Sequence, residues 1–245
     1  MTQPRSNASA ARLGLWGAIA TIVGILLSGP LGLWVIALVH PQPAWNGAAL
    51  FVENYHSIQT FPFFLGFVLV TGYIALMAAI YLDADDRNRP WALVAVMFTT
   101  AFAALIFFNY ILQTTFVPSM VHDYGPEQSA VLSAVTMANP TSLAWGIEMW
   151  GYNFLGIATV FAAPAFRRNR LERVTAFLFL LNGLVSLIGA ILTSFSPGWV
   201  METAGIVGYG AWNLLVLVIS CLAVVAFRHR IAAQVDDNGR VSDYD

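Results

Sequence analysis

The sequence predicts an all-α, polytopic integral membrane protein, with six transmembrane helices in one bundle and both termini in the cytoplasm. Three observations lead to this fold class: the apolar composition, six long apolar runs, and the positions of the arginines. Hydrophobic residues make up 58% of the 245 residues and charged residues only 10%, with a mean hydropathy of +0.71. A soluble domain carries about 25% charged residues because its surface faces water. Most of the surface of this protein is therefore expected to face lipid.

Six apolar runs are each long enough to cross a bilayer as a helix, which takes about 20 residues. They extend over residues 13–39, 61–82, 91–117, 143–166, 174–195 and 203–227, so that the predicted bundle comprises residues 13–227. None of them alternates apolar and polar residues as barrel strands do, and only helices or closed barrels satisfy their backbone in lipid. Within the first run, Ser28, Gly29 and Pro30 predict a kink or a local break.

The eleven arginines of the chain, which has no lysine, all fall on one predicted side of the bundle. They precede the first apolar run, lie between the second and third runs and between the fourth and fifth, and follow the sixth. Positively charged loops remain in the cytoplasm, so this pattern predicts a multi-pass protein of a cell membrane with cytoplasmic tails over residues 1–12 and 228–245. The charged composition of the second tail predicts disorder.

The opposite side of the predicted bundle carries acids and no arginine. Its acidic residues are Glu53, Asp123, Glu127, Glu148 and Glu202. Such a surface attracts cations, although salt screens the attraction beyond about 10 Å. On the same side, residues 126–138 have apolar positions at helical spacing, which predicts a short interfacial helix across the outer mouth of the bundle.

Polar side chains inside the apolar runs form the candidate ligand site, because hydrocarbon makes each of them costly unless it is satisfied. They recur at spacings of four or seven residues, which place them on one face of a helix. The set consists of Asn109, Gln113, Glu148, Tyr152, Asn153, Glu202, Tyr209 and Asn213. With the predicted orientation, most of these residues lie in the outer half of the bundle. We therefore expect a polar cavity that faces outward, with Asn153 and Asn213 nearer the midplane.

Glu148 is the centre of this predicted site, because an ionised carboxylate in hydrocarbon needs a compensating environment. Its expected hydrogen-bond partners are Tyr152, Asn109 or Gln113. If the protein is an enzyme, Glu148 and Tyr152 are the candidate catalytic residues, with Glu148 as a general acid. A packing role is the alternative interpretation, since polar side chains also hydrogen-bond across membrane helices without binding a ligand.

Glu53 and His56 are weak candidates for an external metal site. Their Glu-x-x-His spacing is the unit that di-iron bundles use twice, together with two further glutamates. Here the unit occurs once, at the entrance to a helix, so we predict neither a metal centre nor a cofactor. The arginines follow the topology and form no patch with aromatic residues, so nucleic acid is not an expected partner. The expected partners are the lipid bilayer and a small-molecule or lipid ligand.

The sequence leaves three functions open. The first is binding or transport of a small neutral or cationic ligand in the outward-facing cavity, which the acidic exterior and the converging polar residues favour. The second is an intramembrane isomerase or terpenoid-type cyclase that acts on a lipid or isoprenoid substrate. The third is a structural or accessory membrane subunit without a ligand, in which the polar residues serve helix packing alone.

Overall fold

The computed structural model describes residues 8–242 and is 85% helical, with no strand in that range. Five segments are long and apolar enough to cross a membrane. They are Ala8–Val39, Ser57–Asp83, Arg89–His122, Arg170–Phe195 and Thr203–Ala233. The predicted all-α class and the membrane-type helices are thereby confirmed. Residues 1–7 of the predicted N-terminal tail and residues 243–245 lie outside the described part of the chain.

The described residues form ten α-helices. These are α1 (Ala8–Ser28), α2 (Pro30–Val39), α3 (Ala48–Glu53), α4 (Phe61–Asp83), α5 (Arg89–Ile111), α6 (Val117–His122), α7 (Ser129–Val135), α8 (Leu143–Ala162), α9 (Arg170–Phe195) and α10 (Thr203–Ser242). Short 3-10 turns precede α4, α7 and α10 and follow α8. The helix predicted near residues 126–138 is present as the 3-10 turn Pro126–Gln128 followed by α7.

The six long helices form a closed ring, in which each helix packs against the next. In chain order α1 contacts α4, α4 contacts α5, α5 contacts α8, α8 contacts α9, α9 contacts α10, and α10 returns to α1. The interior contains large buried side chains from several of these helices, among them Tyr73, Phe102, Phe179 and Phe227. The outer surface of the ring is also apolar, since large side chains such as Trp16 and Phe177 are exposed there. A surface of this kind matches lipid rather than water.

Helix α8 is the exception among the predicted spans. It is 20 residues long and lies between α5 and α9 in the ring, but it is not among the five segments that are apolar enough to span a membrane. Glu148, Tyr152 and Asn153 lower its hydropathy. Five of the six predicted spans are therefore long and apolar enough to cross a membrane, and the sixth stays a prediction.

Two interruptions shape the spans next to the candidate site. The predicted break in the first span is confirmed, because α1 ends at Ser28 and α2 begins at Pro30. The second interruption is a π-helical turn over Leu112–Phe116, between α5 and α6. Pro118 has no N–H to donate to the carbonyl group of Thr114, so the regular α-helical pattern cannot continue through this turn.

The end of the chain differs from the expectation of a disordered tail from residue 228, because α10 continues to Ser242. The physical reason lies in the first part of that segment. Arg230 of α10 is buried, and it forms ion pairs with Asp83 of α4 and Glu172 of α9. These contacts hold the helix against the bundle beyond the predicted end of the last span.

Candidate functional site

The carboxyl group of Glu148 lies inside the bundle, where the residue is only 7% exposed. Nδ2 of Asn109 donates a hydrogen bond to Oε2 of Glu148 at 2.8 Å, and the hydroxyl group of Tyr110 donates to Oε1 at 3.2 Å. The hydroxyl oxygens of Tyr110 and Tyr152 are 3.2 Å apart. Since Asn109 and Tyr110 belong to α5, the carboxyl group of Glu148 connects α5 with α8.

Residues 129–142, which we call the cap, cover this group of side chains from the loop side. Nε2 of Gln113 donates to the carbonyl oxygen of Val135 at 2.8 Å, and Oε1 of Gln113 accepts from the backbone N–H of Met137 at 3.0 Å. Nε1 of Trp145 donates to the carbonyl oxygen of Met137 at 2.9 Å. Nε2 of Gln113 also reaches Oδ1 of Asn109 at 3.3 Å. The cap and the predicted site therefore share one hydrogen-bond network.

Aromatic rings pack around Tyr152 on the far side of this network. The ring of Tyr152 lies 5.4 Å from that of Phe102 and 4.6 Å from that of Trp212, measured between centroids. The ring of Phe102 in turn lies 6.2 Å from that of Tyr73. The hydroxyl group of Tyr73 and Nε1 of Trp212 are buried without a hydrogen-bond partner among the described residues. These four aromatic residues can thus offer ring faces to a ligand, and Tyr73 and Trp212 can also donate hydrogen bonds to a ligand or to water.

The structure brings four predicted residues together: Asn109, Gln113, Glu148 and Tyr152. Their polar groups were expected to face an open cavity, but they bind one another and the cap. Glu202 was expected to point into the bundle, but its side chain is exposed. The reason is that α10 begins only at Thr203, so Glu202 lies in the preceding turn, where its N–H donates to the carbonyl oxygen of Trp199.

The remaining predicted residues lie elsewhere in the ring. Tyr209 and Asn213 approach the break between α1 and α2, where a Cβ atom on Gly29 would lie 2.5 Å from Oδ1 of Asn213 and 3.3 Å from the hydroxyl oxygen of Tyr209. Asn153 is buried in α8, and its Oδ1 has no hydrogen-bond partner in the described part of the chain. None of these three residues forms a hydrogen bond with Glu148, but Tyr209 is near enough to interact with it electrostatically.

The weak metal candidates have local partners. The ring of His56 stacks on that of His40, with centroids 4.5 Å apart, and Nδ1 of His56 accepts from the backbone N–H of Ile58 at 3.2 Å. Within residues 8–242 no group of three or more His, Cys, Asp or Glu side chains is arranged to hold a metal ion. Glu53 and His56 therefore have no third ligand in that range.

A buried group of charges at the other end of the bundle was not foreseen in the sequence. Arg230 donates to Oδ2 of Asp83 at 2.6 Å and to Oε1 of Glu172 at 2.8 Å, and Arg168 donates to the same Oδ2 at 2.9 Å. The side chains of Asp83 and Glu172 are each 2% exposed. The guanidinium group of Arg230 also lies 5.3 Å from the centroid of the Phe166 ring. In the sequence these arginines indicated topology, and nothing in their spacing indicated which acids they pair with.

Comparison of the chain with protein-family models, with curated proteins and with solved structures found no match. The architecture defines the class of protein: an all-helical chain whose apolar helices embed it in a membrane. A more specific function has to be argued from the side chains around Glu148, from the cap that covers them, and from the charge distribution along the chain.

Proposed function

We propose that the protein is a six-span membrane protein with cytoplasmic termini, which binds or transports a small cationic or neutral ligand at Glu148. One observation carries the proposal. The carboxyl group of Glu148 is buried between α5 and α8, and its hydrogen-bond donors, Asn109 and Tyr110, are both neutral. A packing contact between two helices does not require a carboxyl group, since an amide or a hydroxyl group serves the same purpose.

The environment of Glu148 favours a cationic ligand over an anionic one. No described arginine forms an ion pair with Glu148, and the chain has no lysine. A carboxyl group buried in this way either keeps a proton or takes up a cation. The rings of Phe102 and Trp212 pack on the ring of Tyr152, whose hydroxyl group reaches Glu148 through that of Tyr110. The faces of aromatic rings attract cations such as ammonium groups. An ammonium compound would therefore find both a counter-ion and an aromatic wall.

Access to Glu148 requires movement of the cap. Gln113 holds the cap through its bonds to Val135 and Met137, and Trp145 adds a third bond. Each such bond contributes about 1 kcal/mol net, so a few kcal/mol separate the closed arrangement from an open one. A ligand that replaces these contacts can stabilise an open state. Movement of the cap would then connect the site with water on the outer, acidic side.

Six spans and cytoplasmic termini are supported by the position of α8 and by the arginines. Helix α8 lies between α5 and α9 in the ring, two neighbours that are both apolar enough to span. Its polar residues are acceptable in lipid if they face protein, and Glu148 and Asn153 are both buried. With α8 as a span, every arginine falls on one side, as the positive-inside rule requires.

The topology is tested by cysteine labelling in intact cells, after the single cysteine, Cys221, is replaced by serine. Gln128→Cys lies next to the cap and is expected to react with a membrane-impermeant maleimide. Asn169→Cys lies between α8 and α9 and is expected to react only after the membrane is permeabilised. Labelling of Asn169→Cys but not of Gln128→Cys in intact cells would reverse the orientation.

The ligand proposal is tested with choline and its uncharged carbon analogue, 3,3-dimethyl-1-butanol, on purified protein in detergent. Choline is expected to raise the unfolding temperature of the wild type in a saturable way, and more than the analogue does. Glu148→Gln is expected to remove the response to choline, whereas Glu202→Gln, a change at an exposed glutamate, keeps it. If the wild type responds to neither compound, or Glu148→Gln responds as the wild type does, the proposed site is wrong.

A further inference from the structure

A cavity of about 140 Å³ lies between the break in the first span and α10. Its walls include Ile25 and Leu26 from the end of α1, Pro30 from the start of α2, and Leu214 and Leu217 from α10. Leu214 is 61% exposed on the apolar surface of the ring, so the cavity adjoins the surface that faces lipid. An apolar cavity of about 150 Å³ is known to hold a benzene molecule. This cavity therefore has room for an apolar body of about six carbon atoms.

Two groups at this cavity are hydrogen-bond acceptors without a regular partner. Asn213 lines the cavity and is 3% exposed, and its Oδ1 has no partner among the residues described. Its Nδ2 donates to the carbonyl oxygen of Tyr209 at 2.8 Å. Because a carbonyl oxygen can only accept, the nitrogen must face the backbone of Tyr209, and the oxygen lies near Gly29 and the hydroxyl group of Tyr209. The second acceptor is the carbonyl oxygen of Leu26, to which Pro30 has no N–H to donate.

The residues that line the cavity favour an uncharged ligand over an ion. None of its lining residues is charged, and an ion without a counter-ion is costly at membrane depth. Gly29 gives the Asn213 oxygen its space, because a Cβ atom there would lie 2.5 Å from Oδ1. An occupant that fits must therefore be uncharged, mainly apolar, and able to donate a hydrogen bond.

We propose that this cavity is a second binding site, which takes an uncharged, membrane-dissolved alcohol with its hydroxyl group on Oδ1 of Asn213. The hydroxyl group supplies the donor that the buried oxygen lacks, and the apolar body fills the space between Ile25 and Leu217. A longer chain extends past Leu214 into the lipid. This site does not depend on Glu148, and it holds whether or not a cation binds there.

The probe for this site is 4-fluorobenzyl alcohol, observed by fluorine NMR with the purified protein in detergent. Its matched control is 4-fluorotoluene, which has nearly the same shape and no hydroxyl group. The wild type is expected to give a saturable bound signal for the alcohol. Asn213→Leu is expected to weaken binding of the alcohol about tenfold, as expected for one lost hydrogen bond to a buried group, while binding of 4-fluorotoluene changes little.

A second variant tests the position of the site without removing a polar group. Gly210 lines the cavity, and a Cβ atom there would have no atom within 4 Å, so the larger side chain of Gly210→Leu can begin at this position without displacing a neighbour. It is expected to abolish the bound signal. Gly146→Leu is the control, because Gly146 is equally open and does not line this cavity. Glu148→Gln is expected to bind the alcohol as the wild type does.

Three results would overturn the proposal. The first is the absence of a saturable signal in the wild type, and the second is a full signal in folded Gly210→Leu. The third is an unchanged affinity of Asn213→Leu for the alcohol. Thermal unfolding and size-exclusion profiles establish that each variant is folded. If Asn213→Leu does not fold, Gly210→Leu alone decides the outcome, because a Cβ atom at this position meets no neighbouring atom.

Discussion

A single carboxyl group, that of Glu148, organises the hydrogen bonds at one end of the bundle. Its two oxygens accept from Asn109 and Tyr110, and Tyr110 extends the connection to Tyr152. All of these groups are removed from water to a large extent, so each depends on the others for its hydrogen bonds. A buried donor that loses its partner costs about 1–3 kcal/mol, which is more than a single bond contributes net.

We expect Glu148→Ala to lower stability by about 1–3 kcal/mol, because Asn109 and Tyr110 each lose a buried acceptor. Asn109 then keeps only its longer contacts to Met137 and Ala144, and Tyr110 keeps the hydroxyl group of Tyr152. Glu148→Gln is expected to cost less, because the amide oxygen can accept from Asn109 while the amide nitrogen donates to the hydroxyl oxygen of Tyr110. Thermal unfolding in detergent measures both changes. Glu127→Ala, at an exposed position, is the control for loss of an acid. Equal losses in the two Glu148 variants would show that charge, and not hydrogen bonding, determines the stability here.

The spacing of polar residues predicted some of the side chains that the structure brings together, while their role as a ligand site stays a prediction. Asn109 and Gln113 are four residues apart, as are Glu148 and Tyr152, and residues at this spacing share a helix face. Tyr110 was left out of the set, because only the packing of α5 on α8 decides that its hydroxyl group also reaches Glu148. Gln113 binds backbone groups of the cap, and the path of such a loop has no periodicity from which it could be predicted.

Among the helices, α1 and α4 approach each other through glycines. A Cβ atom on Gly17 would lie 2.6 Å from the backbone nitrogen of Leu76, and one on Gly24 would lie 2.5 Å from Cα of Leu69. Such distances leave no room for a side chain on either glycine. Small residues allow membrane helices to pack closely, where dispersion forces and weak polar contacts replace the hydrophobic effect.

Substitution of Gly24 is therefore expected to separate these two helices. We predict that Gly24→Val lowers stability by about 1–3 kcal/mol, the usual cost of overpacking a tight contact. Gly146→Val is the matched control, because a Cβ atom on Gly146 meets no atom within 4 Å. Unfolding of both variants in detergent gives the comparison. A similar loss of stability in the two would mean that valine itself, and not the contact with α4, is responsible.

The cap is expected to be held mainly by Gln113. Gln113→Leu removes the bonds to Val135 and Met137, so hydrogen exchange across residues 129–142 should become about 10–100 times faster. Thr114→Val is the neighbouring control, since the Thr114 hydroxyl group donates only to Tyr110 within its own helix. Unchanged exchange in Gln113→Leu would show that the cap is held by its apolar contacts.

For the molecule as a whole, the buried charges join three helices whose positions in the chain are far apart. Arg230 of α10 pairs with Asp83 of α4 and with Glu172 of α9. Removal of one partner from a buried ion pair costs about 3–5 kcal/mol, because the remaining charge stays buried without compensation. Arg230 has two such partners, so it is the most consequential single charge in this group.

We expect Arg230→Gln to lower the unfolding temperature by an amount on the order of 10 °C. Arg89→Gln is the control, because its ion-pair partner Asp86 is 95% exposed and exposed pairs contribute little. Differential scanning fluorimetry in detergent measures both. If the two variants lose the same small amount, water must reach the buried charges and screen them.

Those parts of the architecture that depend on a continuous stretch of sequence, the helices and the break in the first span, were predictable. Run length and composition predicted the helices, and the Ser28–Pro30 stretch predicted the break in the first span. The order of helices around the ring was not predictable, because contact between α1 and α10 depends on packing over most of the chain length. The ion pair of Arg230 with Asp83 also depends on long-range packing and was not predictable from the sequence. Without that contact, only the charged composition of the segment after residue 228 was available, and it predicted disorder.

The closed ring has a consequence for biogenesis. Helix α1 contacts both α4 and α10, so the first and last of the six long helices in the described residues are neighbours in the folded protein. Until α10 leaves the translocon, α1 has one unoccupied flank, and Asp83 and Glu172 lack the guanidinium group of Arg230. Helix α10 therefore completes the ring and adds the guanidinium group that pairs with Glu172 and joins Arg168 on Asp83. A nascent chain halted before α10 lacks the contact between α1 and α10 and the guanidinium group of Arg230. Membrane quality control could recognise such a chain by its open flank and its incompletely paired buried acids.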